Sequence, residues 1–207
     1  MAGFLGALRL RSPQRRCQNL CAHLNSIGVT AQLAQKGQPE ELFREPREYS
    51  MGLIYIHNQE LDWANVVQGN YRSSRPGDLF FFRAPGQPFY YRIWYGIYDP
   101  NLKISEPTLK FRSKRLRSLG SLGRAVDVTW QNELEPVDLE PMSSDEALKR
   151  LLIEVGVDVE IMAFPDGYWI ISNREAGRPP SKRIWECYEA VAQGLKRSSK
   201  WFNPSKY

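Results

Sequence analysis

With 207 residues, 42% of them hydrophobic and 25% charged, the chain has the balance of a folded globular protein and the length of one ordinary domain, with room for an appended subdomain. No apolar run reaches the roughly 18 to 20 residues of a membrane-spanning helix, which excludes a helical membrane protein and predicts a soluble one. The formal charge of +5 is modest, but it is spread very unevenly along the chain.

The first 39 residues hold Arg9, Arg11, Arg15, Arg16 and Lys36 and no acid. That composition is compatible with an organelle transit segment, and equally with an ordinary start leading into a helix; the packed character of residues 17–27 favours the second. After Ser12-Pro13 a helix is predicted to about residue 25, because Cys17, Leu20, Cys21 and Leu24 recur at helical spacing. Gly28 supplies the left-handed stop, and 29–34 alternates as a strand. Residues 38–48 read as a charged loop or short helix. Residues 51–56, Met-Gly-Leu-Ile-Tyr-Ile, read as an apolar strand; 57–60 turn, and 61–67 return as its hairpin partner.

The most committed stretch is 76–100. Its two aromatic segments flank Ala-Pro-Gly-Gln-Pro, which has the chemistry of a reversal, so the pair is expected to form a hairpin. In the second segment Phe89, Tyr91, Ile93, Tyr95 and Ile97 share one face, expected to be core. Tyr90, Arg92, Trp94 and Tyr98 share the other, which either packs or is offered to a ligand.

Residues 63–125 hold eleven Lys or Arg against Asp78, Asp99 and Glu106, a segment charge of +8, whereas 126–166 hold eleven acids against Lys149 and Arg150, or -9. Either the two segments neutralise each other or one faces a charged partner. No strand is assigned to the basic run, and 120–124 reads as a flexible basic loop. Residues 126–130 form a strand. The proline-bounded acidic stretch 133–142 is the best boundary, dividing an N-terminal domain, 1–132, from a C-terminal unit, 143–207. Within that unit Ser143 or Ser144 caps a helix to about 155, a hairpin forms around Pro165-Asp166-Gly167, and Ser181 caps a last helix with Ile184, Cys187, Tyr188, Val191 and Leu195 on one face. Trp201 and Phe202 lie in a basic tail that frays or docks. The expected fold class is α+β, with antiparallel hairpins forming the main sheet beside an N-terminal helix, followed by an α-β-β-α unit.

Catalytic constellations are not legible. Cys17, Cys21 and Cys187 cannot all pair, and with only His23 and His57 beside them and no Cys-x-x-Cys, neither a metal nor a cofactor is expected; this usage fits reducing surroundings, most simply the cytoplasm. A magnesium site would start from Asp158, but 168–172 opposite it offers no Glu or Lys. The pattern Pro-Gly-Asp-Leu-Phe-Phe-Phe at 76–82 followed by Trp-Tyr-Gly-Ile-Tyr at 94–98 resembles lecithin retinol acyltransferase-like thiol hydrolases over about 25 residues. In that family a strand histidine near the tryptophan activates a distant cysteine, here Cys187. Ile93 stands where the histidine belongs, so no catalytic residue is carried over.

What remains is cations beside aromatics: Tyr90, Arg92, Trp94 and Tyr98 on one strand face, Arg72 and Arg75 before it, and Lys110, Arg112, Lys114, Arg115, Arg117 and Arg124 after it. Single-stranded nucleic acid is held by such sets, bases stacking on rings while Lys and Arg track phosphates. The expected function is therefore non-enzymatic binding, first of RNA or single-stranded DNA. The alternative is an assembly or adaptor protein docking on an acidic protein, and the third reading is an enzyme with an unrecognised site.

Overall fold

A computed structural model describes residues 13–34, 48–70, 89–104, 109–118, 123–132, 135–136, 139–164, 167–173 and 178–199. Helix α1, Pro13–Ser26, buries Cys17, Leu20, Cys21 and Leu24, the stripe that its spacing predicts. Helix α2, Glu146–Val155, is capped by Asp145, whose carboxylate accepts from the Leu148 N–H, and not by Ser143 or Ser144. Those serines belong to a preceding 3-10 turn, Met142–Ser144, with other partners: the Ser143 hydroxyl accepts from the Leu139 N–H, and the Ser144 hydroxyl donates to Glu140. Ser181 caps helix α3, Lys182–Ser198, as expected. Gly28 (φ 92°) and Gly156 (φ 71°) end the helices that precede them in the left-handed conformation.

The strands are β1, Thr30–Leu33; β2, Glu48–His57; β3, Trp63–Asn70; β4, Phe89–Tyr98; β5, Leu109–Arg117; β6, Ala125–Asn132; β7, Glu135–Pro136; β8, Val159–Phe164; and β9, Tyr168–Asn173. They form one nine-stranded antiparallel sheet in the order β1-β2-β3-β4-β9-β8-β5-β6-β7. The fold class is α+β. The basic run, left without a strand by its sequence, is β5. The first strand of the expected aromatic hairpin, residues 38–47 and the 200–207 tail lie outside the described residues, while its second strand is β4.

The late hairpin β8–β9 sits inside the sheet made by the earlier strands: Trp94↔Ser172 and Tyr98↔Tyr168 join β9 to β4, and Phe111↔Ile161 joins β8 to β5. Sheet hydrogen bonding thus runs across the stretch 133–142, which the sequence marks as a boundary. The end of that stretch is also packed. Leu139 and Met142 are buried, and the Ser198 hydroxyl of α3 donates to the Leu139 carbonyl and accepts from the Met142 N–H.

All three helices cover one face. Ile54, Ala64, Ile93, Tyr95, Ile97, Ile161, Trp169 and Ile171 meet Leu24, Leu152, Cys187, Tyr188 and Val191 there in the main core. Tyr95 packs edge-on to Trp185 (5.6 Å) and beside Tyr188 (5.1 Å). A second cluster, Leu53, Trp63, Val67, Trp94, Met162, Phe164 and Ile170, is buried on the opposite face. No helix among the described residues is long and apolar enough to cross a membrane.

Candidate anion-binding cleft

Strand β5 begins between two strands and, among the described residues, ends with a partner strand on one side only. From Leu109 to Arg112 it pairs with β8, ending at Arg112↔Glu160. At the next position the ladder stops, because the Val159 N–H turns to the Ser113 hydroxyl (2.8 Å) instead of a backbone carbonyl. Ser113 is buried, so its hydroxyl both satisfies that N–H and steers the chain of β8 away. On its other side β5 keeps its partner β6 through to Arg117. A cleft of about 300 Å³ opens at this fork, lined by Arg112, Ser113, Lys114, Arg115, Arg117, Asp158, Val159 and Glu160.

Four of those side chains are cationic and come from a single strand; two are carboxylates. Arg115 Nε holds Asp158 at 3.1 Å, and Arg92, from β4, reaches Glu160 at 3.7 Å. The basic and acidic segments of the sequence therefore meet here and partly neutralise each other, yet Arg112 and Lys114 stay exposed. Arg117 donates to the Gly123 carbonyl (3.0 Å), closing the base of the β5–β6 hairpin, where Arg124 is also exposed. Lys110 is half-buried two residues before Arg112.

The other predicted residues divide. Arg72 and Arg75 lie outside the described residues; Tyr90 lies in β4, but its side chain is outside them too. Trp94 is a correction. Its ring is fully buried in the second cluster, 6.4 Å from Phe164, so it offers no stacking surface. Its neighbours in register, Asn65 on β3 and Ser172 on β9, belong to interior strands, and an interior position that looks ligand-facing from alternation alone is covered when both faces are packed. Tyr98, at the end of β4, is 49% exposed and lies 5.3 Å from Tyr168. Alternation along the paired strands puts Tyr98, Tyr168, Lys110, Arg112 and Lys114 on the same face, with Tyr168 two strands and Tyr98 three strands away from the cations of β5. Asp158, Glu160 and Ser113 shape the cleft and were not singled out as its members. The basic-then-acidic charge pattern is the one signal that pointed to the two carboxylates, and nothing in the sequence pointed to Ser113.

Cys187, Cys21 and His23 lie outside this cleft. Burial pushes the Cys187 thiol up to about 12, so it remains protonated at neutral pH and packs. Burial also raises Cys21. A ring nitrogen of His23 is hydrogen-bonded to the Pro180 carbonyl (2.7 Å). Among the described residues no three His, Cys, Asp or Glu side chains converge in a metal-binding group. The cleft itself is suited to holding negative charge along an extended chain. No known family, curated protein or solved structure matches the chain.

Proposed function

We propose that the protein is a non-enzymatic binding protein, an assembly or adaptor component that holds an acidic segment of a protein partner in the cleft at the β5–β8 fork. One observation carries this: four cations of one strand line the cleft, where that strand has no second partner strand among the described residues, and three of the four are exposed. Charge complementarity of this kind sets partner choice and encounter rate more than it sets final affinity. A second function is supported by the exposed Tyr98 beside Tyr168 on the cationic face, an arrangement suited to single-stranded nucleic acid. The burial of Trp94 removes one of the rings on which stacking depended.

The two partners separate in a direct comparison of polyglutamate with a single-stranded oligothymidylate of equal charge, measured at low salt. The expected result is tighter binding of polyglutamate, lost in the double variant Arg112→Glu, Lys114→Glu, whose exposed positions leave the fold intact by circular dichroism. Tighter binding of the oligonucleotide, with a steep salt dependence, would instead make nucleic acid the partner. Unchanged binding in the double variant would remove the cleft from the mechanism.

A further inference from the structure

Parts of the outer edges of this sheet are blocked by identifiable devices. On β1 the Asn25 carboxamide behaves as a short strand of its own. Its Nδ2 donates to the Ala31 carbonyl (2.9 Å) and its Oδ1 accepts from the Ala31 N–H (3.3 Å), so both outward-pointing groups of that residue are taken. On the far side β7 is two residues long and ends in Pro136, which has no N–H to offer. Such closures are the usual defence of a sheet against pairing with foreign strands.

Among the described residues, no such device lies on the edge of β5 beyond Arg112. Residues 114–117 pair with β6 on one side, and no backbone group of a described residue pairs with them on the other. Val159 is the last residue of β8 to reach toward this edge, and it is captured by a side chain. The carboxylate of Asp158, next in line, is taken by Arg115, and among the described residues the main chain at Lys114 has no backbone hydrogen-bond partner on this side. Four residues of extended chain span roughly 13 Å, enough for a short added strand.

Resting on the acidic-partner function above, we propose that the partner is bound by strand addition: an extended acidic segment pairs its main chain with residues 114–117 of β5, continuing the line of β8. The chain supplies its own template for the side chains. Glu160 of β8 stands opposite Arg112, so the next strand position along the same face puts a partner carboxylate opposite Lys114. The position after that meets Leu116, whose side chain is 38% exposed and takes an apolar or β-branched residue. In this mode the main-chain hydrogen bonds supply affinity, while the alternate side chains supply specificity.

The test uses the full chain and two synthetic peptides alternating glutamate with threonine, identical except that one is N-methylated at alternate amides. Methylation keeps the charge and removes main-chain donors. Strand addition predicts that the methylated peptide binds about tenfold more weakly or worse, as the loss of one or two main-chain hydrogen bonds implies. It also predicts slowed hydrogen exchange at those amides of 114–117 that point away from β6. If both peptides bind equally and Arg112→Glu, Lys114→Glu abolishes both, the cleft remains the site but strand addition is overturned. If neither peptide binds, or the oligothymidylate binds more tightly at the same residues, the acidic-partner function falls as well.

Discussion

Gly96 is required by a ring. It stands opposite Trp63 across β3 and β4, and the Trp63 indole lies over its α-carbon, so that a β-carbon at 96 would overlap the ring atoms. Trp63 belongs to the second cluster with Trp94 and cannot swing away without opening that cluster. Gly96→Ala is therefore expected to cost about 1–3 kcal/mol, the usual range for overpacking a filled core, read as a lower denaturant midpoint at unchanged slope. Asp145 acts through its charge. The Leu148 N–H that it caps, with help from Arg197, holds its carboxyl below the ordinary carboxylate value. A lowered folded-state pKa means that the stabilisation is full above the unfolded pKa near 4 and is lost as pH falls through the folded value. Asp145→Ala should destabilise by about 1 kcal/mol at pH 7, and the gap between variant and parent should close in acid unfolding curves below about pH 4. A gap of constant size would assign the effect to packing.

At the level of elements, β5 shows how charge conceals a strand. Phe111 and Ser113 point into the core while Lys110, Arg112 and Lys114 point out, an alternation with only one large apolar side chain to announce it. The basic composition was legible; its strand geometry was not, because the inward Ser113 gains its value only from the Val159 N–H that folding brings to it. Strand β4 misled in the opposite sense. Arg92 and Tyr98 at its polar positions left the Trp94 face open between packing and ligand binding, whereas Trp94 is fully buried. For β1, replacing Asn25 by Ala removes the carboxamide that closes the edge. The expected loss is about 0.5–1.5 kcal/mol, together with faster aggregation at raised protein concentration, seen by light scattering. An unchanged aggregation rate would show that Asn25 only fastens α1 to β1.

The whole molecule is held together by contacts remote in sequence. The turn after β2 is fastened to α3 through Lys196, whose ammonium reaches both the Glu60 carboxylate and the Glu60 carbonyl (3.1 Å each). The end of β4 is tied to the late hairpin: the Trp169 indole donates to the buried Asp99 carboxylate (3.3 Å), and the Asp99 N–H donates to the Gly167 carbonyl (2.7 Å). A fragment of residues 143–207, a unit by its sequence pattern, is accordingly expected not to fold alone. It would present Ile161, Trp169 and Ile171 without β4 or β5 beside them, and both edges of an isolated two-stranded hairpin would be open. A cooperative unfolding transition of that fragment would establish it as a separate domain.

Local pattern by itself determined the helices, most of the strands and the α+β class, because helical and strand periodicity, Gly28, Ser181 and the aromatic propensity of β4 act over a few residues. It also determined that a basic stretch is followed by an acidic one. Only the tertiary structure decided that β8 and β9 enter between β4 and β5, that Trp94 is buried, and that Arg112, Lys114, Arg115 and Arg117 share a cleft with Asp158 and Glu160. These are matters of strand order and register, fixed by the simultaneous burial of apolar side chains on both faces of one sheet. That burial joins residues some 50 to 80 positions apart, a range over which no periodicity in the chain carries information.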